Sequence, residues 1–168
     1  SRLRCAAVGF AHCQPTPDGI RAGLVLDARE RLEVEAEVAD LQRTLSIPLF
    51  LSGDHHDTSP FFQCPQLQMR ELNVDYRGSL TACCTLSSYR GGAPDTDVIA
   101  DLNRVSFFDA HKALIAKIAE LNREKVDRVE RGGLTEVDHF ICSHCLVHYR
   151  KVPNLAGVLA GGGLPREG

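Results

Sequence analysis

The chain has 168 residues, 43% apolar and 24% charged, a balance that excludes disordered and fibrous classes. Its net charge of −3 gives no reason to expect general affinity for nucleic acid or anionic membrane, and no apolar run approaches the roughly 18 residues of a membrane span. The cysteine count of seven is high, but it is odd and the N-terminus lacks a basic-then-apolar signal, so a secreted disulfide framework is disfavoured against metal or redox use.

Residues 3–10 (LRCAAVGF) form a short apolar run that predicts a buried strand. His12-Cys13-Gln14-Pro15 and a Pro/Gly-bearing loop follow. Asp27 and Glu30 have the spacing of a capping box, with Asp27 as N-cap. Val34, Val38, Leu41 and Leu45 then lie on one helical face. Residues 47–51 (IPLFL) predict a second strand, ending at Ser52-Gly53-Asp54-His55-His56. Strand, helix and strand make a βαβ unit with a right-handed crossover and parallel pairing. One such unit covers only part of a sheet, so these residues read as the end of a larger α/β domain. The non-Met first residue agrees with a processed product or fragment.

The character changes after Ser59-Pro60. Leu72, Val74 and Tyr76 alternate with polar residues, Arg77-Gly78 follows, and Leu80, Ala82 and Cys84 alternate again, predicting a β-hairpin. Neighbours on a strand face opposite ways, so Cys83 and Cys84 are not expected to serve one metal; Cys84 sides with Leu80 and Ala82 as core. Residues 88–97 predict a polar loop. Ser106 and Asp109 start another helix, with Ala110, Leu114, Ile118 and Leu121 as its apolar face. The charged stretch 123–136 reads as helix end and linker. Residues 156–168, with five glycines, are expected to be a mobile tail.

Four cysteines carry the chemistry. Cys64, Gly78 and Cys83 read C-x₁₃-G-x₄-C, and Cys142 and Cys145 form a late C-x₂-C. Thiolates are soft donors that select zinc, Cu(I) or iron–sulfur clusters. Four of them suit either a zinc ion or a 4Fe–4S cluster. The long first spacing suits a larger cluster wrapped by a hairpin better than a two-knuckle zinc ribbon. A thiol–disulfide role for Cys142-x₂-Cys145 lacks the strand-then-helix setting such pairs use. Asp54-His55-His56 is a poor metal site, because adjacent histidines on an extended segment diverge.

Cys64-Pro65, VDYRGSLTACC (74–84), IADLNRVSFFDA (99–110) and Cys142-Ser-His-Cys145 resemble the cysteine-rich C-terminal extension of radical S-adenosylmethionine enzymes, the SPASM domain, which opens C-x₉₋₁₅-G-x₄-C. This chain has no cysteine after Cys145, so it resembles the shortened twitch form with one auxiliary cluster. The resemblance implies an auxiliary 4Fe–4S cluster on Cys64, Cys83, Cys142 and Cys145, with electron transfer or structural support as its role; zinc on the same residues is the alternative. It implies an α/β fold: residues 1–59 as the end of a partial (β/α) barrel, one βαβ unit, then 60–155 as a small α+β domain with a hairpin and a helix, and 156–168 as tail. The C-x₃-C-x₂-C motif that holds the S-adenosylmethionine-binding cluster in the family is missing, and Cys5 and Cys13 have no third partner nearby. The chain is therefore expected to be part of an oxidoreductase and not active alone, with S-adenosylmethionine bound only by the complete enzyme. Ligands of open α/β sheets bind beyond the strand C-termini, which makes His12, Gln14 and Asp54 candidate cofactor or substrate contacts, with solvated loop residues as the bland reading. His144, between the late cysteines, is expected at an exposed turn, with tuning of the cluster as the alternative. A peptide or small-metabolite substrate, an electron donor such as a ferredoxin or flavodoxin, and a reducing cytoplasm complete the expectation, with neither nucleic acid nor membrane as partner.

Overall fold

The computed structural model describes residues 6–162. In chain order these form β1 (Val8–Ala11), α1 (Pro17–Arg21), α2 (Ala28–Thr44), β2 (Leu49–Ser52), β3 (Asn73–Val74), β4 (Ser79–Thr81), α3 (Cys84–Ser87), β5 (Val98–Asp101), α4 (Phe107–Glu130), a 3₁₀ turn (Glu136–His139), α5 (Ile141–His148) and α6 (Leu155–Leu159). The part of the predicted first strand before residue 6, Cys5 included, lies outside the described residues, as do residues 163–168.

The βαβ unit is present. β1 and β2 pair in parallel, Val8 opposite Leu49 through Ala11 opposite Ser52. The capping box forms as the spacing predicts: Glu30 N–H donates to Asp27 Oδ1 at 2.8 Å, and Asp27 N–H donates to Glu30 Oε2 at 2.9 Å. Among the described residues the parallel sheet has two strands and no barrel forms. Two strands leave much of the helix uncovered. Of the four residues expected on the apolar face of α2, only Val38 is buried; Leu41 and Leu45 are exposed.

A separate antiparallel sheet has the order β3-β4-β5. Its hairpin turns through Asp75-Tyr76-Arg77-Gly78. Asp75 Oδ1 accepts from the N–H groups of Arg77 and Ser79, and Gly78 takes a φ of 82°, where a side chain is strained. An added Cβ there would also stand 2.7 Å from Asn103 Nδ2. Leu72, Val74 and Tyr76 are exposed, β3 being an edge strand of two residues with nothing over that face among the described residues. One expectation about this hairpin is corrected. Cys84 is exposed rather than core: β4 ends at Thr81, and Cys84 begins α3, where strand alternation no longer applies.

The main core lies within the cysteine-bearing segment. Leu80, Leu86, Leu114, Leu121, Leu146, Leu155 and Leu159 bring β4, α3, α4, α5 and α6 together. The predicted face of α4 is buried as read, and Ser106 caps it by accepting from Asp109 N–H. The helix runs on to Glu130, so most of the stretch read as helix end and linker is helix. The predicted loop 88–97 is pinned by ion pairs: Asp97, fully buried, meets Arg90 at 2.6 Å and Lys151 at 2.7 Å. The expected mobile tail begins instead with α6, whose Leu155 and Leu159 are buried in the core.

Candidate metal centre

Three local devices deliver the four cysteines. Cys64 precedes a turn in which Gln68 N–H bonds to its carbonyl, and its Sγ donates to Gln66 Oε1 at 3.0 Å. Cys83 follows β4 at the N-cap of α3. Cys142 and Cys145 sit three apart on α5, hence on one helical face. All four line a single pocket with about 350 Å³ of empty space, part of it open to solvent. Leu67, Ala82, Leu86, Ile141 and Tyr149, with the polar Gln66 and Thr85, complete its wall. The fold thus brings the early and late cysteine groups to one place.

The thiols share a wall and do not converge on a point. Among the described residues no group of three or more His, Cys, Asp or Glu side chains is arranged to hold a metal ion as it stands. A metal or cluster here would draw the sulfurs inward. The donor set fits a soft centre: four thiols face the pocket and no carboxylate or imidazole lines it. Burial pushes the Cys83 thiol up, while the N–H groups of Leu86 and Thr85 aimed at it pull the other way. Burial also pushes up Cys142, helped by the charge of Asp54 and by Cys83 and Cys64, and raises Cys145 well above its ordinary value. These thiols would release protons on taking up a metal.

A second, more open cleft with about 510 Å³ of empty space, part of it open to solvent, adjoins the first beyond the C-terminal ends of β1 and β2. His12, Cys13, Gln14, Gly53 and Asp54 line one side, with Thr85, Cys142 and Leu146 opposite. Cys142 and Thr85 belong to both cavities.

The three sequence-predicted contact residues all reach this cleft, each already engaged with protein. His12 Nε2 lies 2.9 Å from Glu35 Oε1, and Glu35 also accepts from His56 N–H, tying the loops after β1 and β2 together. Gln14 Nε2 donates to Thr85 O and Ser88 Oγ, joining the first loop to α3. Asp54 is the most occupied. Its Oδ1 accepts from Cys142 N–H at 2.7 Å and Ser143 N–H at 3.0 Å; its Oδ2 accepts from Arg31 Nη1 at 2.6 Å and from Ser143 Oγ.

His144 departs from the exposed turn expected of it. It is buried, 4.8 Å from the Phe62 ring, with Nδ1 3.0 Å from Asp138 Oδ1. Burial favours the neutral form of Asp138, yet hydrogen bonds from His144 and Thr135 and the charge of Arg128 outweigh it and hold the carboxyl at about 2.

Arg31, Ser143, Thr85 and Glu35 are the residues that sequence reasoning missed. Arg31 alone left a trace: it falls on the same stripe as Val34 and Val38, a charge at a core position. Comparison of the chain with family models, with curated proteins and with solved structures finds no match.

Proposed function

We propose that this chain is the C-terminal part of a radical S-adenosylmethionine oxidoreductase, with one auxiliary 4Fe–4S cluster on Cys64, Cys83, Cys142 and Cys145. The observation that carries the reading is the shared pocket: two cysteine groups far apart in sequence, spaced as in twitch domains, line one cavity whose wall is otherwise mostly apolar, with Gln66 and Thr85 as its polar members. When bound, such a cluster supplies one-electron transfer at a potential set by burial and by hydrogen bonds to its sulfurs.

The residues have distinct tasks in this account. The four thiolates would hold the cluster. Leu67, Leu86 and Ile141 would shield it from water, and the N–H groups of Thr85 and Leu86 would stabilise negative charge on the Cys83 sulfur. The cleft beyond β1 and β2 is the place for the reacting part of a substrate, a peptide or small metabolite, with His12 and Gln14 at its rim. Cys142 and Thr85 wall both cavities, so Cys142 would be the ligand that borders the cleft. The two-stranded sheet would be the end of a partial barrel. The C-x₃-C-x₂-C cluster that starts the radical chemistry is expected outside these 168 residues, so this chain alone would not turn over. A ferredoxin or flavodoxin would supply electrons, in a reducing cytoplasm. Among the described residues no helix is long and apolar enough to cross a membrane.

Iron, sulfide and zinc assays on the chain purified without oxygen test this reading. About four irons and four sulfides per chain with a brown colour support it. One zinc and no colour would replace it with a zinc-stabilised module on the same residues.

A further inference from the structure

Asp54 and Arg31 come from the βαβ segment, yet both end at the cysteine helix. Arg31 is fully buried and Asp54 is 8% exposed. Asp54 takes the backbone N–H groups of Cys142 and Ser143, the second and third residues of α5. Unpaired N–H groups at a helix start would otherwise be free to turn toward a nearby sulfur. Arg31 stands behind Asp54. Its Nη1 also reaches Ser143 Oγ at 3.1 Å, its Nε donates to Leu26 O at 3.2 Å, and its guanidinium lies over the Phe140 ring at 5.0 Å. Its Nη2 has no hydrogen-bond partner among the described residues, so Asp54 is the carboxylate that compensates this charge.

We propose that Asp54, backed by Arg31, is a positioning residue for the metal centre: it fixes the start of α5 so that Cys142 faces both cavities, and it presents the negative end of a buried ion pair to the centre. The inference rests on the cluster reading for its electronic half and on geometry alone for its positional half. The pair is electrically polar toward the site, with the carboxylate on the Cys142 side and the guanidinium behind it. A carboxylate near a redox centre disfavours the extra electron of the reduced state, and a cation favours it. Removing each charge separately must therefore move the reduction potential in opposite directions. Damage to the fold would not produce opposite signs.

The test uses the full chain with Asp54→Asn, Arg31→Gln and the double variant. In the metal-free protein, amide hydrogen exchange at Cys142 and Ser143 should rise about tenfold in Asp54→Asn, as expected for losing a charged acceptor, with exchange at Leu114 and Leu121 of α4 unchanged. In the iron-loaded protein, the midpoint potential should move up in Asp54→Asn and down in Arg31→Gln. The double variant leaves no unpaired buried charge; it should fold, show raised exchange and have a potential between those of the single variants. Wild-type exchange at Cys142 and Ser143 in Asp54→Asn, or in the double variant if the single one does not fold, overturns the positional half. Shifts of the same sign in the two single variants overturn the electronic half. A wild-type chain that takes up no iron defeats the cluster reading itself, and the exchange experiment still decides whether Asp54 positions α5.

Discussion

Asp138 anchors the turn that leads into α5, and its stability contribution can be worked from its contacts. Its Oδ2 accepts from Thr135 N–H at 2.7 Å, Thr135 Oγ1 at 2.8 Å and Arg128 Nη2 at 2.6 Å, while Oδ1 faces His144 at 3.0 Å. A carboxyl that moves from its ordinary 3.8 to about 2 on folding contributes about 2 kcal/mol at neutral pH. The folded value is depressed, so the contribution is complete well above 3.8 and fades as pH falls toward 2. About half of it remains at pH 3. The perturbation is Asp138→Asn in the metal-free full chain, followed by urea unfolding at pH 6 and at pH 3. The variant should be less stable by about 2 kcal/mol at pH 6, and the gap should narrow by about 1 kcal/mol at pH 3. Other depressed carboxyls, Asp75 and Asp97, titrate in both proteins and cancel in the difference. A gap that stays constant or widens toward pH 3 would refute the reasoning.

Alanine at Cys64, Cys83, Cys142 or Cys145 should lower bound iron and destabilise the loaded chain, whereas Cys84→Ala and Cys13→Ala should retain it; equal iron loss at Cys83 and Cys84 would contradict the pocket assignment. Leu146→Ala opens a cavity at a fully buried residue of α5 and should cost about 2–5 kcal/mol in urea unfolding, measured against wild type. Gly78→Ala forces a side chain to a φ of 82° against Asn103 and should cost at least about 1 kcal/mol, with Asn103→Ala relieving part of the loss in a double-mutant cycle.

Local signals carried the parts of the fold that local physics decides. Asp27, Glu30 and Ser106 cap as their spacing predicts, and the apolar face of α4 from Ala110 to Leu121 is buried because a long helix against a core keeps its period. Signals that depend on partners misled. Leu41 and Leu45 belong to a regular apolar stripe, but nothing among the described residues covers them. Cys84 seemed to share a face with Leu80 only while β4 was taken to continue; the chain turns into α3 instead. Strand β5 is four residues long and carries little period.

The candidate site was legible as a list of cysteines, since C-x₁₃-G-x₄-C and C-x₂-C single out the four that line one pocket. Its supports were not. Asp54 reads in sequence as a loop residue with histidine neighbours, and only the meeting of the loop after β2 with the start of α5 turns it into the acceptor for Cys142 and Ser143. Arg31 on α2, Lys125 on α4 and Lys151 in the loop after α5 are buried cations of a kind that would ordinarily face water. Their partners lie on distant elements: Asp54 for Arg31, Asp97 for Lys151 and the ring of Phe62 for Lys125. No window of sequence contains such a pair.

The most direct test of the central claim is electron paramagnetic resonance of the full chain, reconstituted with iron and sulfide without oxygen and then reduced. The account predicts the spectrum of a reduced 4Fe–4S cluster at about one spin per chain, lost when Cys142 is replaced by alanine. A silent spectrum from a chain that carries zinc, or a signal unchanged by loss of Cys142, would contradict it.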